Sequence, residues 1–308
     1  MRILTITTDF GNRDWYVAAM KGVVTTRLGS APSFVDLSHD VPAGDLATGS
    51  FLLTAAAVTF PTDTVHLAVI DPGVGSARRI LAAEVPLRDP GDDTIRRQLF
   101  VAPDNGLLTG VLDAARATQP AQTTTDAGLE PHSQPQSVAV DRPDLWRVAP
   151  GSTFHGRDRF APVAAELLRG VPLDALGETV EPRRLERPAP HARGDLIEGH
   201  IVHIDHFGNL ISDIPVCWLN DPVSGERRLL EIAVGGQSTD LWVDHYLQIP
   251  EGRAAALAGS LGTLELSLNG DDLARHWRIE RGMRVRVRRG ADAAAPTRGR
   301  HTQPGGTR

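Results

Sequence analysis

The sequence predicts an α/β N-terminal domain with a mainly parallel central sheet, followed by a smaller domain made mostly of β-strands. Three observations carry this expectation. Between Arg2 and Ile70, strand-like apolar runs alternate with helical stretches, and two of those runs end on an aspartate just before a turn. Beyond Gly199 there are only short strand-like runs separated by glycine turns.

The first run, Arg2 to Thr8, reads as a short strand that stops at Asp9-Phe10-Gly11-Asn12-Arg13-Asp14. A helix is expected from Trp15 to Leu28, with Trp15, Ala18, Ala19, Val23 and Val24 near one face. Asp9, an acid closing a first strand before a glycine turn, is placed to accept hydrogen bonds from a ribose diol. Helix N-capping is the alternative use of Asp9 and Asp14. A second strand, Ser33 to Leu37, leads through Ser38-His39-Asp40-Val41-Pro42 into an apolar helix from about Asp45 to Thr59. The third strand is Val65 to Ile70. Sites in parallel sheets gather at the carboxyl ends of strands, where Asp9 and Asp71 both stand.

The third strand opens onto Asp71-Pro72-Gly73-Val74-Gly75-Ser76-Ala77-Arg78. An acid, a Pro-Gly-x-Gly turn and a base set a carboxylate and a guanidinium at the rim of a sheet. A plain Pro-Gly hairpin with incidental charges is the bland alternative. A dinucleotide-binding loop fits less well, since Arg78 occupies the third glycine position and Arg79 to Val85 reads as a strand instead of a helix.

A polar connection is expected from Arg88 to Gln98, then a strand entering the Pro103-Asp104-Asn105-Gly106 turn. Residues 118–137, rich in Thr, Gln, Pro and Ala, read as a flexible insertion. Ser152-Thr153-Phe154-His155-Gly156-Arg157-Asp158 leads into a helix through Leu168. His155 could be a general base, a metal ligand or a structural hydrogen-bonding residue. No H-x-x-x-H or His-plus-Cys spacing supports the metal reading.

The Pro- and Arg-rich stretch Glu181 to Gly194 marks the boundary between domains. The expected division is residues 1–190, then a β-rich domain over 195–289, then a disordered tail over 290–308. In the second part the strand Gly199 to Ile204 ends in Asp205, followed by His206-Phe207-Gly208-Asn209-Leu210. Later strands are expected at Leu229 to Val234, Thr263 to Leu268 and Met283 to Arg288.

Composition narrows the function classes. The 308 residues are 41% hydrophobic and 23% charged, which fits a globular chain with a substantial core. A net charge of −6 with no concentrated basic face argues against a nucleic-acid partner. The single Cys217 excludes an intrachain disulfide and fits a reducing cytoplasm. The N-terminus lacks the apolar core of a signal peptide, and no run approaches a membrane span, so a cytoplasmic location is expected.

Four motifs in this order, Thr8-Asp9-Phe10-Gly11, Asp71-Pro72-Gly73-Val74-Gly75-Ser76-x-Arg78, Ser152 to Asp158 and Asp205-His206-Phe207-Gly208-Asn209-Leu210, carry a resemblance. The chain resembles the adenosine-forming S-adenosyl-L-methionine hydrolases, also called SAM hydroxide adenosyltransferases, relatives of the fluorinase and chlorinase enzymes. The resemblance runs from Met1 to about Arg288. It implies a C-terminal β-barrel and a homotrimer with sites between the N-domain of one subunit and the C-domain of the next. It also implies hydrolysis of S-adenosyl-L-methionine to adenosine and L-methionine, with no cofactor and no metal.

By motif position the catalytic set falls on Asp71, Arg78 and His155, with Arg79 as the neighbouring alternative to Arg78. Substrate contacts fall on Asp9, Asp14, Val74, Phe154, Asp205, Phe207, Asn209, Tyr246, Ser260 and Asn269. By ligand chemistry Asp9 suits the ribose hydroxyls, Asp205 the methionine ammonium and Asn209 the adenine edge, while Phe154, Phe207 and Tyr246 offer flat apolar walls. After Asn269 the chain departs from the family's Gly-Asn-Ala-Ala-like run, reading Gly270-Asp271-Asp272-Leu273. Two other readings stay in view, nucleophilic halogenation of the same substrate and non-catalytic binding of an adenosyl ligand. An ionised Asp71 would repel a halide, which favours the hydrolase.

Overall fold

The computed structural model describes residues 2–89, 91–92, 94–117, 134–220 and 230–289. The chain divides into two compact units, Met1–Arg187 and Pro188–Arg308.

Among its described residues the first unit holds seven strands: β1 (Ile3–Thr8), β2 (Ser33–Ser38), β3 (Thr64–Val69), β4 (Ile80–Arg88), β5 (Ile95–Pro103), β6 (Gln136–Val140) and β7 (Gly177–Thr179). Its helices are α1 (Tyr16–Leu28), α2 (Leu46–Ala57), α3 (Thr109–Ala117) and α4 (Ala161–Arg169). The strands form one sheet in the order β2-β1-β3-β5-β4-β6-β7. Pairings among β2, β1, β3 and β5 are parallel, and β4 and β7 alone run against the rest.

Every residue of β1 and β3 is buried, as expected of central strands covered on both faces. One face packs Leu4, Ile6, Val65 and Leu67 against Met20, Val24 and Val163 from α1 and α4. The other packs Ala68 and Ile70 with Leu53, Ala57 and Leu112 from α2 and α3. Asp45 starts α2 by accepting from the Thr48 backbone N–H at 3.1 Å and its hydroxyl at 2.7 Å.

Three expectations are corrected here. The buried residues of α1 are Val17, Met20 and Val24, whereas Trp15 and Ala18 are exposed. The polar connection expected from Arg88 to Gln98 is shorter, because β4 and β5 form an antiparallel hairpin that reaches Arg88 opposite Ile95 and takes Ile95 to Gln98 into a strand. The charged side chains Arg96 and Arg97 are held by Asp89, Asp92 and Asp63 at its end, which hid the strand. Strand β6 begins at Gln136, inside the stretch expected to be a flexible insertion; residues 118–133 of that stretch and the tail 290–308 lie outside the described residues.

Beyond β7, residues 181–187 form an arm across the first unit. The Arg183 N–H donates to the buried Asp104 carboxylate at 2.7 Å, the Leu185 N–H donates to the Thr109 hydroxyl at 2.8 Å, and Arg184 and Arg187 both reach Asp113.

The second unit contains β8 (His191–Arg193), β9 (Leu196–Ile204), β10 (Leu210–Pro215), β11 (Leu230–Val234), β12 (Gln237–Thr239), β13 (Ala254–Ala258), β14 (Thr263–Leu268) and β15 (Arg284–Arg289), together with a short helix, α5 (Leu273–Trp277). The order is β12-β11-β15-β9-β10-β14-β13, with β8 paired to β9. The chain leaving β12 then pairs with β13, where the Ala256 N–H donates to Leu241 O at 2.8 Å and the Val243 N–H donates to Ala256 O at 2.9 Å. The sheet thereby nearly closes into an antiparallel barrel. Alternate residues of β9, β10 and β15, among them Ile197, Ile201, Leu210, Val285 and Val287, fill its interior.

Candidate active site

Strands β1 and β3 are parallel neighbours with Thr8 opposite Val69, so Asp9 and Asp71 leave the sheet at the same edge. Asp9 accepts the Gly44 N–H on Oδ2 at 2.8 Å. Past Asp71 the chain makes two successive tight turns, with the Val74 N–H donating to Asp71 O at 3.1 Å and the Ser76 N–H donating to Gly73 O at 3.0 Å. These turns bring Arg78 back onto Asp71. Its Nε donates to Asp71 Oδ1 at 2.8 Å, and its Nη2 donates to Oδ2. Arg79 points elsewhere, from Nε to Asp104 Oδ2 at 2.7 Å and from Nη2 to Glu181 O at 3.1 Å. Successive side chains of an extended segment face opposite ways, and this separates the two arginines.

His155 arrives from a third element. It precedes a single π-helical turn, Gly156–Phe160, in which the Ala161 N–H reaches back to Gly156 O before α4 begins. Arg78 Nη2 donates to His155 Nδ1 at 2.8 Å. A guanidinium has no acceptor, so Nδ1 is the unprotonated nitrogen and the neutral ring carries its hydrogen on Nε2. Burial, then the Arg159 and Arg78 cations, holds this imidazole below its ordinary value against weaker pulls from Asp71 and Asp158. The Arg78 guanidinium also lies 4.9 Å from the centre of the Phe160 ring. Two buried polar atoms of the group, His155 Nε2 and Arg78 Nη1, have no partner among the described residues.

Asp9, Asp71, Val74, Phe154 and His155 line one cavity of about 740 Å³ in this unit. Arg78 stands behind it, with its side chain almost wholly buried. The walls are aromatic: the Phe154 ring meets Tyr16 at 5.1 Å, Trp15 at 5.5 Å and Phe10 at 6.0 Å, in each case edge to face. A Cβ on Gly156 would stand 3.1 Å from Phe154 and 3.2 Å from Met20, so any larger residue there would press on the aromatic wall. Phe10, Trp15, Tyr16 and Gly44 line the cavity and were not expected there, although two aromatics following an Asp-Phe-Gly turn were a readable signal. Asp14 is exposed and is not brought to the cavity; α1 begins after Trp15 with no side-chain cap, so Asp14 does not cap it either.

The second unit has its own cavity, of about 630 Å³, lined by Asp205, Phe207, Asn209, Tyr246 and Asn269 together with Ser267 and the Gly270–Asp272 run. Asp205 Oδ1 accepts the Phe207 and Asn209 backbone N–H groups, both at 2.9 Å, and Oδ2 accepts Asn209 Nδ2 at 2.9 Å. Asn209 Oδ1 accepts the Ser267 hydroxyl at 2.6 Å. Gly208 adopts φ +82°, and a Cβ there would stand 2.1 Å from Asp272 Oδ1, so the turn admits only glycine. Asp272, part of the departure from the family run, caps α5 through the Arg275 N–H. The Tyr246 hydroxyl donates to Glu265 at 2.6 Å; burial raises both groups, and their hydrogen bond raises the tyrosine further. Asn269 Nδ2 donates to Ile249 O at 2.9 Å. Ser260 is exposed in the turn between β13 and β14 and is not among the residues of this cavity.

Among the described residues, no three His, Cys, Asp or Glu side chains are grouped as a metal site. No helix among them is long and apolar enough to cross a membrane.

Comparison with known proteins gives a consistent result. Residues 4–177 match the model of the SAM hydroxide adenosyltransferase N-terminal domain, and residues 199–286 match that of the C-terminal domain. The chain is 36% identical over 290 residues to the (R)-S-adenosyl-L-methionine hydrolase of Thermus thermophilus, covering 93% of this chain and 100% of that one. It is 41% identical over 210 residues to the enzyme of that name from Salinispora tropica, covering 67% of this chain and 70% of the relative. A fluorinase from Actinoplanes sp. is more distant, at 26% identity over 306 residues, with 92% and 97% covered. Among solved structures, an uncharacterized conserved protein from Thermotoga maritima superposes with a TM-score of 0.75 at 26% identity, covering 93% of this chain and all of that one.

Proposed function

Since the chain belongs to the SAM hydroxide adenosyltransferase family, we propose that it hydrolyses S-adenosyl-L-methionine to adenosine and L-methionine, by in-line attack of water on ribose C5′. The observation that carries this reading is Arg78 joined at once to Asp71 and His155 at the wall of the first unit's cavity.

The substrate's sulfur is a sulfonium, so methionine departs as a neutral thioether and needs no general acid. The site has to orient a water, take its proton as the C–O bond forms, and hold the oxygen in line behind the C–S bond. The two unpartnered groups, His155 Nε2 and Arg78 Nη1, are donors suited to hold that oxygen. With Nδ1 occupied by Arg78 and Nε2 protonated, the imidazole orients the water and the carboxylate of Asp71 is the base. General-base help is typically worth about 10²–10⁴-fold and near-attack alignment roughly 7–11 kcal/mol, so positioning is the larger contribution.

In this proposal the Asp9 carboxylate takes the ribose diol and the aromatic walls take the apolar faces of the nucleoside. In the second unit, the Asp205 carboxylate suits the ammonium, and Asn209, Asn269, Phe207 and Tyr246 suit the adenine. No cofactor takes part. The assembly is a homotrimer in which the first unit of one subunit and the second unit of the next complete each site. Exposed Trp15, Tyr16 and Val74 at one cavity, and Phe207 and Tyr246 at the other, are apolar surface that such an assembly would cover. The location is cytoplasmic.

The test is product analysis after incubation with S-adenosyl-L-methionine in ¹⁸O-labelled water, with and without fluoride or chloride. Adenosine carrying the label at its 5′-oxygen is the expected product. A 5′-halo-adenosine would favour the halogenase, and tight binding without turnover would favour an adenosyl-binding protein.

A further inference from the structure

The nucleoside-facing turn Asp9-Phe10-Gly11 is held by side chains that the chemistry above does not use. His39 is 4% exposed, with Nδ1 hydrogen-bonded and Nε2 in a close contact that is not an aligned hydrogen bond. Nδ1 lies 2.8 Å from the hydroxyl of the fully buried Thr8, and Nε2 lies 3.1 Å from Asp36 Oδ1. The other oxygen of Asp36 accepts from Lys21 Nζ of α1 at 2.6 Å. At the opposite end the Thr8 hydroxyl oxygen accepts the Phe10 N–H at 3.3 Å.

These contacts run in one direction through the frame. The Phe10 N–H donates to Thr8 Oγ1, the Thr8 hydroxyl shares a hydrogen bond with His39 Nδ1, and the Asp36 carboxylate stands within ion-pair reach of His39 Nε2 without an aligned hydrogen bond. The backbone closes the same frame, as the Gly11 N–H donates to His39 O at 2.8 Å and the Gly44 N–H donates to Asp9 Oδ2 at 2.8 Å. One carboxylate oxygen of Asp9 is thus tied to the 39–44 loop, and Oδ1 has no partner among the described residues.

We propose that Asp36, His39 and Thr8 form a positioning relay that aims the free oxygen of Asp9 at a vicinal diol, making the grip on the 2′-hydroxyl depend on side chains that never touch the ligand. This rests on the ribose role of Asp9 proposed above. A relay matters there because a hydrogen bond to a carboxylate loses its value when the acceptor is free to swing.

The experiment compares competitive inhibition by adenosine and by 2′-deoxyadenosine in the full-length protein, with thermal unfolding in parallel. In Thr8→Val, a near-isosteric change that removes the hydroxyl, adenosine should bind about tenfold more weakly while 2′-deoxyadenosine changes less than about twofold. Thr8→Ser, which restores the hydroxyl, should recover the parental ratio. Asp36→Ala, at the accessible end of the relay, should lower the ratio in the same direction, and it stands in if the core variant does not fold. Equal weakening of both nucleosides, or an unchanged ratio in the folded variants, overturns the relay. Asp9→Asn separates the two levels: an unchanged ratio there overturns the ribose reading itself, while a collapsed ratio there with parental ratios in the relay variants overturns the relay alone.

Discussion

Arg78 Nη2 donates to His155 Nδ1 at 2.8 Å, joining residues 77 positions apart in the chain. Because the donor is a guanidinium, this contact fixes the tautomer of the imidazole, and the proposed division of labour at the site rests on it.

The first prediction concerns that division. Asp71→Asn, which keeps the shape and loses the base, should lower kcat about 10³-fold or more with KM within about threefold. His155→Gln, which keeps an N–H donor, should retain more turnover than His155→Ala, which should lose about 10²-fold. Steady-state kinetics on the three variants decides the matter; if His155→Gln were the most damaged, the base would be the imidazole.

The second concerns pH. A protonated His155 would turn an N–H toward Arg78, donor against donor and cation against cation. Its folded value is depressed, so the neutral form persists above 6.5 and is lost only as pH falls through a value below that. The kcat/KM profile should therefore fall on the acid side, with that limb centred below pH 6.5. An acid limb centred at or above 6.5 would contradict the assignment.

The third concerns stability. His66, buried in β3, sits between the Thr5 hydroxyl at 2.7 Å and Gln98 Oε1 at 3.2 Å and stacks on Phe100. Burial lowers it from 6.5 to about 4, only partly offset by the Gln98 bond. Between those values the unfolded chain binds the extra proton, so stability should drop by up to ~1.4 kcal/mol per pH unit on acidification. Denaturant unfolding between pH 7 and pH 4 measures it, and His66→Leu should flatten that dependence while costing stability at neutral pH.

Much of this was legible in the sequence, for reasons that differ from residue to residue. Asp9 and Asp71 could be read because an acid directly after a buried strand has one plausible place in a parallel sheet. The choice of Arg78 over Arg79 was a matter of alternation along an extended segment, open in the sequence and decided by where Asp104 sits. The β4/β5 hairpin was obscured because its end carries Arg96 and Arg97 beside acids, which imitates a polar loop. The pairing of Thr8 with His39 was not legible, since nothing local marks a threonine and a histidine 31 positions apart as partners. The π-helical turn after His155 has no signature in composition at all.

The arm of residues 181–187 has a bearing on where the first unit can be severed. The family's N-terminal profile stops at residue 177, yet the buried Asp104 and Thr109 obtain partners from Arg183 and Leu185. Evolutionary bookkeeping and mechanical integrity thus part company at this seam. A fragment ending where the profile ends would cost Asp104 Oδ1 and the Thr109 hydroxyl one donor each, whereas one carried through Arg187 keeps its clasp, and a protease that severs the first unit from the second should cut beyond that clasp.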